Sequence, residues 1–252
     1  MLIKKIKKKL FAYHASLMCS LKKHEDLVWI SLGENCLSDD ILKRHYKKSY
    51  SSLYAAGRSN IEYALDMDKN NYKDLLSKVN LEYAYVGSHR VVRSIIYKSS
   101  SPNYNNLHLN GFEFTHHNPI ENMEHKKSFN RRIKRMIEGK GRKNYVFLYH
   151  HRSCENQDLN RIRENLIKFK EQYQINNKKC FVIFFYQTAI CNRQKRGIYN
   201  ISNSNNILEF QFVTERIWSG NDDDLFWARV DDDLIKIMIK KSETFISSII
   251  KN

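Results

Sequence analysis

The sequence predicts an α/β protein whose sheet is mostly parallel and doubly wound, in three layers. Short apolar runs rich in β-branched and aromatic residues, such as LVWISL at 27–32 and CFVIFFY at 180–186, are typical of strands that are buried on both faces. Amphipathic helical patterns separate these runs, and strands that alternate with helices form parallel sheets. The length of 252 residues suits one such domain, which we assign to 27–252.

The other elements follow from the same patterns in chain order. Further strands are predicted at 90–97, 112–114, 145–149 and 207–213, and helices at 61–80, 129–137, 155–173 and 225–250. A helix is also expected directly after Cys36, because Ser38, Asp39 and Asp40 precede an apolar-periodic run and such residues favour helix starts. Cys36 is thereby predicted to lie in the turn between the first strand and the first helix.

The N-terminal segment, residues 1–26, is predicted to be a basic amphipathic helix. Its apolar residues recur at three-and-four spacing, and the lysines lie mostly elsewhere on the helix; we single out Lys4, Lys5, Lys8 and Lys9. Such a helix suits either an anionic membrane surface or packing against the domain, and the sequence leaves both open. We expect neither a secretory signal nor a membrane-spanning helix.

Composition narrows the partners and the compartment. The formal charge of +16 favours acidic surfaces, but no zinc-finger or RNP-like motif is present, and the bias toward Lys, Asn and Ile argues against reading the charge as nucleic-acid binding. Five scattered cysteines give no disulfide framework and fit a reducing compartment. We therefore expect a cytoplasmic protein, either free or at the inner face of the membrane, and the sequence leaves its oligomeric state open.

The turn at Cys36 is the first candidate for chemistry, since ligands of open α/β sheets bind beyond the carboxyl ends of the strands. A helix N-terminus favours the thiolate, Gly33 permits a tight exit from the strand, and Asn35 with nearby N–H groups would form an oxyanion hole. Cys180, inside an apolar run, is expected to be core. Arg152, after the strand at 145–149, would clamp an acidic part of the substrate.

Ten histidines offer several partners for the thiol, and the residues alone do not decide between the pair His116/His117 and the pair His150/His151. A zinc site at His151 and Cys154 would need a second pair, and none has matching spacing. The sequence contains neither a Walker loop nor a GxGxxG motif. We predict no metal and no cofactor.

Several short motifs occur in the order of a known family. They are ISLGENC at 30–36, LKR at 42–44, FTHHNP at 114–119, FNRRIKRMIE at 129–138, YVFLYHHR at 145–152, and Trp218, Gly220, Asp222 and Trp227. Together they make the region from about 27 to 240 resemble the bacterial family of papain-like cysteine peptidases called domain of unknown function 1796. The resemblance implies Cys36 as nucleophile and His116 as general base, with Asn118, Glu121 and Asp222 open as a third member.

The expected function is therefore that of a Cys–His hydrolase or acyltransferase acting on an ester, thioester or amide. Its substrate would be acyl-bearing or a glycan, since relatives occur in loci for surface polysaccharides. A cysteine on a strand-to-helix turn suits a Rossmann-like or SGNH-like sheet better than a papain fold. Substrate-binding side chains are expected at Arg152, His117, His151, Trp218 and Asp222. The alternative is a non-catalytic basic protein that binds anionic membrane or nucleic acid.

Overall fold

The computed structural model describes residues 27–97, 101–154, 157–191 and 194–251. The predicted basic helix, with Lys4, Lys5, Lys8 and Lys9, lies outside the described residues. The strands are β1 (Leu27–Gly33), β2 (Leu81–Val86), β3 (His89–Ser94), β4 (Glu113–Phe114), β5 (Asn144–His151), β6 (Cys180–Ala189), β7 (Gly197–Ser204) and β8 (Ile207–Thr214). The helices are α1 (Leu37–Arg44), α2 (Ile61–Lys69), α3 (Met123–Gly139), α4 (Leu159–Glu171), α5 (Asp223–Phe226) and α6 (Asp232–Ile250).

The main sheet confirms the predicted α/β class with mostly parallel strands. Its five strands lie in the order β1-β5-β6-β8-β7. The pairings β1–β5, β5–β6 and β6–β8 are parallel, and only β7 is antiparallel to its neighbour β8. The parallel strands thus follow one another across the sheet in chain order, and their carboxyl ends form one edge.

Helices cover both faces of this sheet, because successive side chains of a strand point to opposite sides. In β5, Tyr145, Phe147 and Tyr149 belong to the core that also contains the buried faces of α2, α3 and α4. Val146 and Leu148 belong to a second core, shared with α1 and α6. The result is the expected three-layer arrangement, and it explains why the central strands are apolar throughout.

Two strands were not expected from the sequence. The predicted helix at 61–80 ends at Lys69, because the chain turns at Asn71, Tyr72 and Asp74, which have φ values of 51°, 56° and 62°. The chain then enters β2, the first strand of a small antiparallel sheet with the order β2-β3-β4. β7 escapes prediction because its sequence GIYNISNS is mostly polar and exposed.

The predicted long C-terminal helix at 225–250 is interrupted. Ala228 has a φ of 53°, in the left-handed region, and it separates the short α5 from α6. Ala228 is fully buried in the core beside α6, so packing fixes a backbone conformation that an alanine rarely adopts by itself. No described helix combines the length and the apolar character needed to cross a membrane.

The outer edge of β1 is covered by a serine-rich segment that follows α1. The amide of Trp29 donates to the hydroxyl of Ser49 at 2.9 Å, and the amide of Ser49 donates to the carbonyl of Trp29 at 2.9 Å. The hydroxyl of Ser52 donates to the carbonyl of Ser31 at 2.7 Å. These bonds occupy polar groups of β1 that no neighbouring strand reaches, and they fix the strand that leads to Cys36.

Candidate active site

Cys36 lies at the carboxyl edge of the sheet, in the turn from β1 to α1. Gly33 leaves the strand with a φ of 157°, and a side chain there would come within 3.4 Å of the His150 amide nitrogen. Cys36 itself is the N-cap of α1. The side-chain oxygen of Asn35 accepts a hydrogen bond from the amide of Leu37 at 3.1 Å and so closes the turn. The predicted strand–turn–helix setting of Cys36 is confirmed.

The thiol of Cys36 is half-buried, and its surroundings differ from the expectation of a stabilised thiolate. Burial and the Asp39 carboxylate raise the pKa of this thiol above its ordinary value. The hydroxyl of Thr115 and the guanidinium of Arg58 act in the opposite direction without reversing the shift. Desolvation outweighs the favourable helix N-terminus, and the thiol is therefore protonated at neutral pH.

Glu34, two residues before the cysteine, joins the end of β1 to the end of β5. Its fully buried carboxylate accepts hydrogen bonds from the Tyr149 hydroxyl at 2.8 Å, from His151 Nδ1 at 2.7 Å and from the Arg152 amide at 2.9 Å. Burial alone would raise the pKa of Glu34, but His151 and the hydrogen bonds lower it to about 2. Glu34 is an ionised anchor that orders this part of the sheet edge.

His151 belongs to this anchor, which corrects its predicted role in substrate binding. The ring is fully buried between Glu34 and Gln157, whose side-chain oxygen lies 2.9 Å from Nε2. Both ring nitrogens already have partners within the chain. His150, on the other face of β5, is also buried and stacks on Phe185 with ring centroids 4.9 Å apart. Burial lowers the pKa of His150 to about 3.

Arg58 reaches the same edge from the segment between α1 and α2. The amide of Ser59 donates to the Glu34 carbonyl at 3.2 Å, which holds this segment beside the end of β1. Backbone hydrogen bonds of 2.9 Å in both directions join Arg58 to Glu113, and the guanidinium lies 3.0 Å from the Glu113 carboxylate. Arg93 donates to the same carboxylate at 2.9 Å. One buried carboxylate thus supports two guanidinium groups.

His108 is a further histidine at this site, and it is completely buried. The side chain of Asn60 fixes its backbone by donating to the His108 carbonyl at 2.8 Å. Burial lowers the pKa of His108 to about 4; the Glu34 carboxylate acts in the opposite direction, and Arg152 and Arg58 add to the lowering. Neither ring nitrogen has a hydrogen-bond partner within the described part of the chain.

The loop after β4 places Thr115, the residue before His116, beside the Cys36 thiol. Both histidines line a cleft of about 220 Å³ together with Thr115 and His125. His116 is exposed, and no hydrogen bond joins it to Cys36 in the described residues. His117 packs edge-on against His125 at 4.9 Å, and burial lowers its pKa to about 4.

Two predicted substrate-binding residues have structural roles instead. Trp218 is only 2% exposed, and its indole N–H donates to Asp231 at 2.8 Å within the core shared with α6. Asp222 caps α5 by accepting from the amides of Asp224 and Leu225 at 3.0 and 3.2 Å. Arg152, by contrast, lies half-buried beside Glu34, and its backbone amide is fixed by that carboxylate.

Sequence reasoning missed Glu34, Arg58, His108 and Thr115. Glu34 stands inside the motif ISLGENC, at the end of a predicted strand. A charged residue at that position was the signal that a carboxylate lies near the nucleophile. Arg58 and His108 come from connecting segments without a periodic pattern, and nothing in the sequence indicates which strand end they approach. Their positions depend on the backbone bonds from Ser59 and Asn60.

The described residues contain no group of three His, Cys, Asp or Glu side chains that could hold a metal ion. The arrangement instead offers a thiol, a hydroxyl, neutral imidazoles and two guanidinium groups at one edge of the sheet. Comparison with protein-family models, with curated proteins and with solved structures finds no match for this chain.

Proposed function

We propose that this protein is a cysteine-dependent hydrolase or acyltransferase that acts on an ester, thioester or amide. The observation that supports this most directly is the position of Cys36 at the β1–α1 turn, half-buried, with Thr115 and Arg58 facing its thiol. Cys180, by contrast, is fully buried in the core at the first residue of β6, away from the carboxyl edge of the sheet. Polar groups around a thiol at the ligand-binding edge of a parallel sheet favour nucleophilic chemistry.

The first step is attack of the Cys36 sulfur on the carbonyl carbon of the substrate. Because the resting thiol is protonated, a base must take its proton as the carbon–sulfur bond forms. His116 is our proposed base, since it follows Thr115 directly and its exposure lets it pass the proton to the leaving group. N–H groups at Asn35 and Cys36 would hold the oxyanion. Water or a sugar hydroxyl then attacks the thioester and releases the thiol.

His108 is the competing candidate for the base. Its pKa of about 4 keeps it neutral at physiological pH, so a ring nitrogen lone pair is open to a proton. It is fully buried, however, which hinders the return of the proton to solvent. The pH dependence of turnover distinguishes the two candidates, because only substitution of the true base removes the acidic limb of the pH profile.

The finer fold assignment, a doubly wound Rossmann-like or SGNH-like sheet, is part of the same proposal. The position of Cys36 on the turn between β1 and α1 supports it, since this assignment expects a nucleophile after the first parallel strand. The substrate is proposed to be acyl-bearing or a glycan, as the resemblance to the cysteine peptidase family implies. The resemblance to a peptidase family does not identify the acyl group or the acceptor.

The test is a panel of aryl esters, acyl thioesters and amides offered to the full chain. We expect turnover of at least one class, and peptide mass spectrometry should find the acyl adduct on Cys36. Cys36→Ser and Cys36→Ala should abolish both signals, and His116→Ala should slow acylation while leaving the fold intact. Full turnover by purified Cys36→Ala would end the proposal.

A second candidate function rests on the charged surface of α3. Lys127, Arg131, Lys134 and Arg135 are exposed on this helix, and such a surface attracts anionic lipid or nucleic acid. If the protein is a non-catalytic binder, flotation with phosphatidylserine vesicles or retention on DNA should depend on these side chains and on residues 1–24. Binding with an unreactive Cys36 would favour this candidate over the enzyme.

A further inference from the structure

Arg58, His108 and Arg152 lie within electrostatic reach of one another beside Glu34, and backbone contacts hold the segments that carry them. Glu34 links two of them, since its carbonyl accepts from Ser59, next to Arg58, and its carboxylate accepts from the Arg152 amide. The third residue, His108, is held by Asn60, whose side-chain amide donates to the His108 carbonyl at 2.8 Å. The three groups therefore come from separate segments that converge on the end of β1.

Their hydrogen-bonding capacity is not used up inside the protein. Both ring nitrogens of His108 are buried without a hydrogen-bond partner in the part of the chain that the structure describes. Nη1 of Arg58, by contrast, lies 3.0 Å from the Glu113 carboxylate and forms an ion pair with it. Buried polar groups are nearly always paired, and an unpaired one costs about 1–3 kcal/mol. The two ring nitrogens of His108 therefore favour a hydrogen-bonding partner beyond the described residues, either a ligand or an ordered water.

The charge balance of the region determines what kind of partner fits. Glu113 is shared by Arg58 and Arg93, so one negative charge faces two positive charges. The Glu34 carboxylate is taken by Tyr149, His151 and a backbone amide. The Arg152 guanidinium forms no ion pair within 4 Å among the described residues, and the carboxylate that acts on it electrostatically is Glu34. Positive charge is in excess, and guanidinium groups pair best with oxyanions.

From this convergence we infer that Arg58, His108 and Arg152 form a subsite for an oxyanion, a phosphate or carboxylate group, carried by the substrate of Cys36. The inference rests on the proposed function, and it names the substrate class: an acyl donor or acceptor with an anionic group close to the reacting carbonyl. Arg152 and Arg58 supply charge-assisted hydrogen bonds, and neutral His108 donates one N–H. The overall charge of +16 would draw such a substrate to the protein.

The experiment measures binding of inorganic phosphate and of acetate to the full chain by titration calorimetry at fixed ionic strength, in wild type and in Cys36→Ala. We expect both proteins to bind at least one anion. Arg152→Gln should weaken that binding at least tenfold. His108→Asn should also weaken anion binding. If the buried His108 position does not tolerate substitution, Arg152→Gln still tests the subsite, because Arg152 is only half-buried. Preference for phosphate or acetate identifies the group that the substrate carries.

The matched control is Arg142→Gln, which removes the same charge from an exposed position in the turn before β5 and should leave affinity within twofold. Equal weakening in Arg142→Gln and Arg152→Gln would overturn the subsite, because it would show a diffuse charge effect. Absence of binding for both anions would also overturn it, while an acyl adduct on Cys36 would still support the proposed enzyme. Anion binding that depends on Arg152, with no acyl adduct, would defeat the proposed enzyme and keep the anion site.

Discussion

Two parts of the same sheet edge carry polar side chains, and they differ in how fully those side chains are bonded. At the ends of β6 and β8, the Gln187 amide donates to Thr214 and, at 2.8 Å, to the Arg216 carbonyl, and it accepts from the Trp218 amide at 2.8 Å. At the ends of β1 and β5, His108 keeps two ring nitrogens unbonded in the described residues.

The difference separates a structural network from a candidate site. Both regions lie where ligands of parallel sheets bind, so topology alone does not distinguish them. The Gln187 side-chain amide and the groups it reaches are bonded to one another within the protein, which ties the Trp218 segment to the sheet. Around Cys36 a thiol, an imidazole and two guanidinium groups converge, and not all of their hydrogen-bonding atoms have a partner in the described residues. The predictions below test this contrast.

The largest effect is expected from the two cysteines. Cys36→Ala should lower turnover of the acyl donor by about 1000-fold or more, because it removes the nucleophile. Cys180→Ala, in the core, should keep turnover within about twofold and cost about 1–2 kcal/mol of unfolding free energy through the cavity it leaves. Turnover and urea unfolding of both variants provide the measurement. Equal loss of turnover in the two variants would break the contrast.

Glu34→Gln should destabilise the protein by about 3–5 kcal/mol, because it removes one partner of a buried charged network. The folded-state pKa of Glu34 is about 2, below its ordinary value of 4.5. Its contribution is therefore complete above pH 4.5 and is lost as the pH falls toward 2. Urea unfolding of both proteins across this range should give a difference that shrinks with acidity. A difference that is constant with pH would contradict the ionised anchor.

Gln187→Ala should cost about 2–3 kcal/mol, since the Trp218 amide and the Arg216 carbonyl lose their partner. Alkylation of Cys36 by iodoacetamide should proceed at the wild-type rate, because the Gln187 network belongs to the β6–β8 end. Thermal unfolding and peptide mass spectrometry measure the two quantities. A large change in the alkylation rate at unchanged stability would show that the two regions are coupled.

The smallest effect is expected at Asp222. Asp222→Ala removes a helix cap and should lower stability by about 1 kcal/mol or less, since α5 is only four residues long. The Michaelis constant for the acyl donor should stay unchanged, because the side chain serves the backbone of α5. Steady-state kinetics with thermal unfolding test both statements, and a raised Michaelis constant would restore Asp222 as a substrate-binding residue.

The parts of the fold that sequence reasoning predicted are those with strong periodic patterns. β1, β5, β6 and β8 are apolar because helices cover both faces, and that property is visible in the sequence. β7 and β2 were missed because each has an exposed face and no apolar run. The break at Ala228 was missed because alanine favours helix, and only the surrounding packing imposes its left-handed backbone.

Only the part of the site that lies at the end of β1 was predictable from the sequence. Cys36 was found from its local motif and the general position of ligand sites in parallel sheets. Arg58 and His108 were not, because they reach the site through contacts with residues distant in sequence. The upward shift of the Cys36 thiol pKa was not predicted, for a related reason: the helix N-terminus is a local feature, whereas burial and Asp39, which raise this pKa, depend on the folded surroundings.

The serine segment beside β1 also bears on solubility. An open, apolar edge strand offers its amides and carbonyls to other chains and promotes aggregation. Here the hydroxyl groups of Ser49 and Ser52 occupy such positions on β1, while β7, at the opposite edge, is polar and carries an irregularity between Asn200 and Ser202. These features discourage strand pairing with a second molecule at both edges of the sheet.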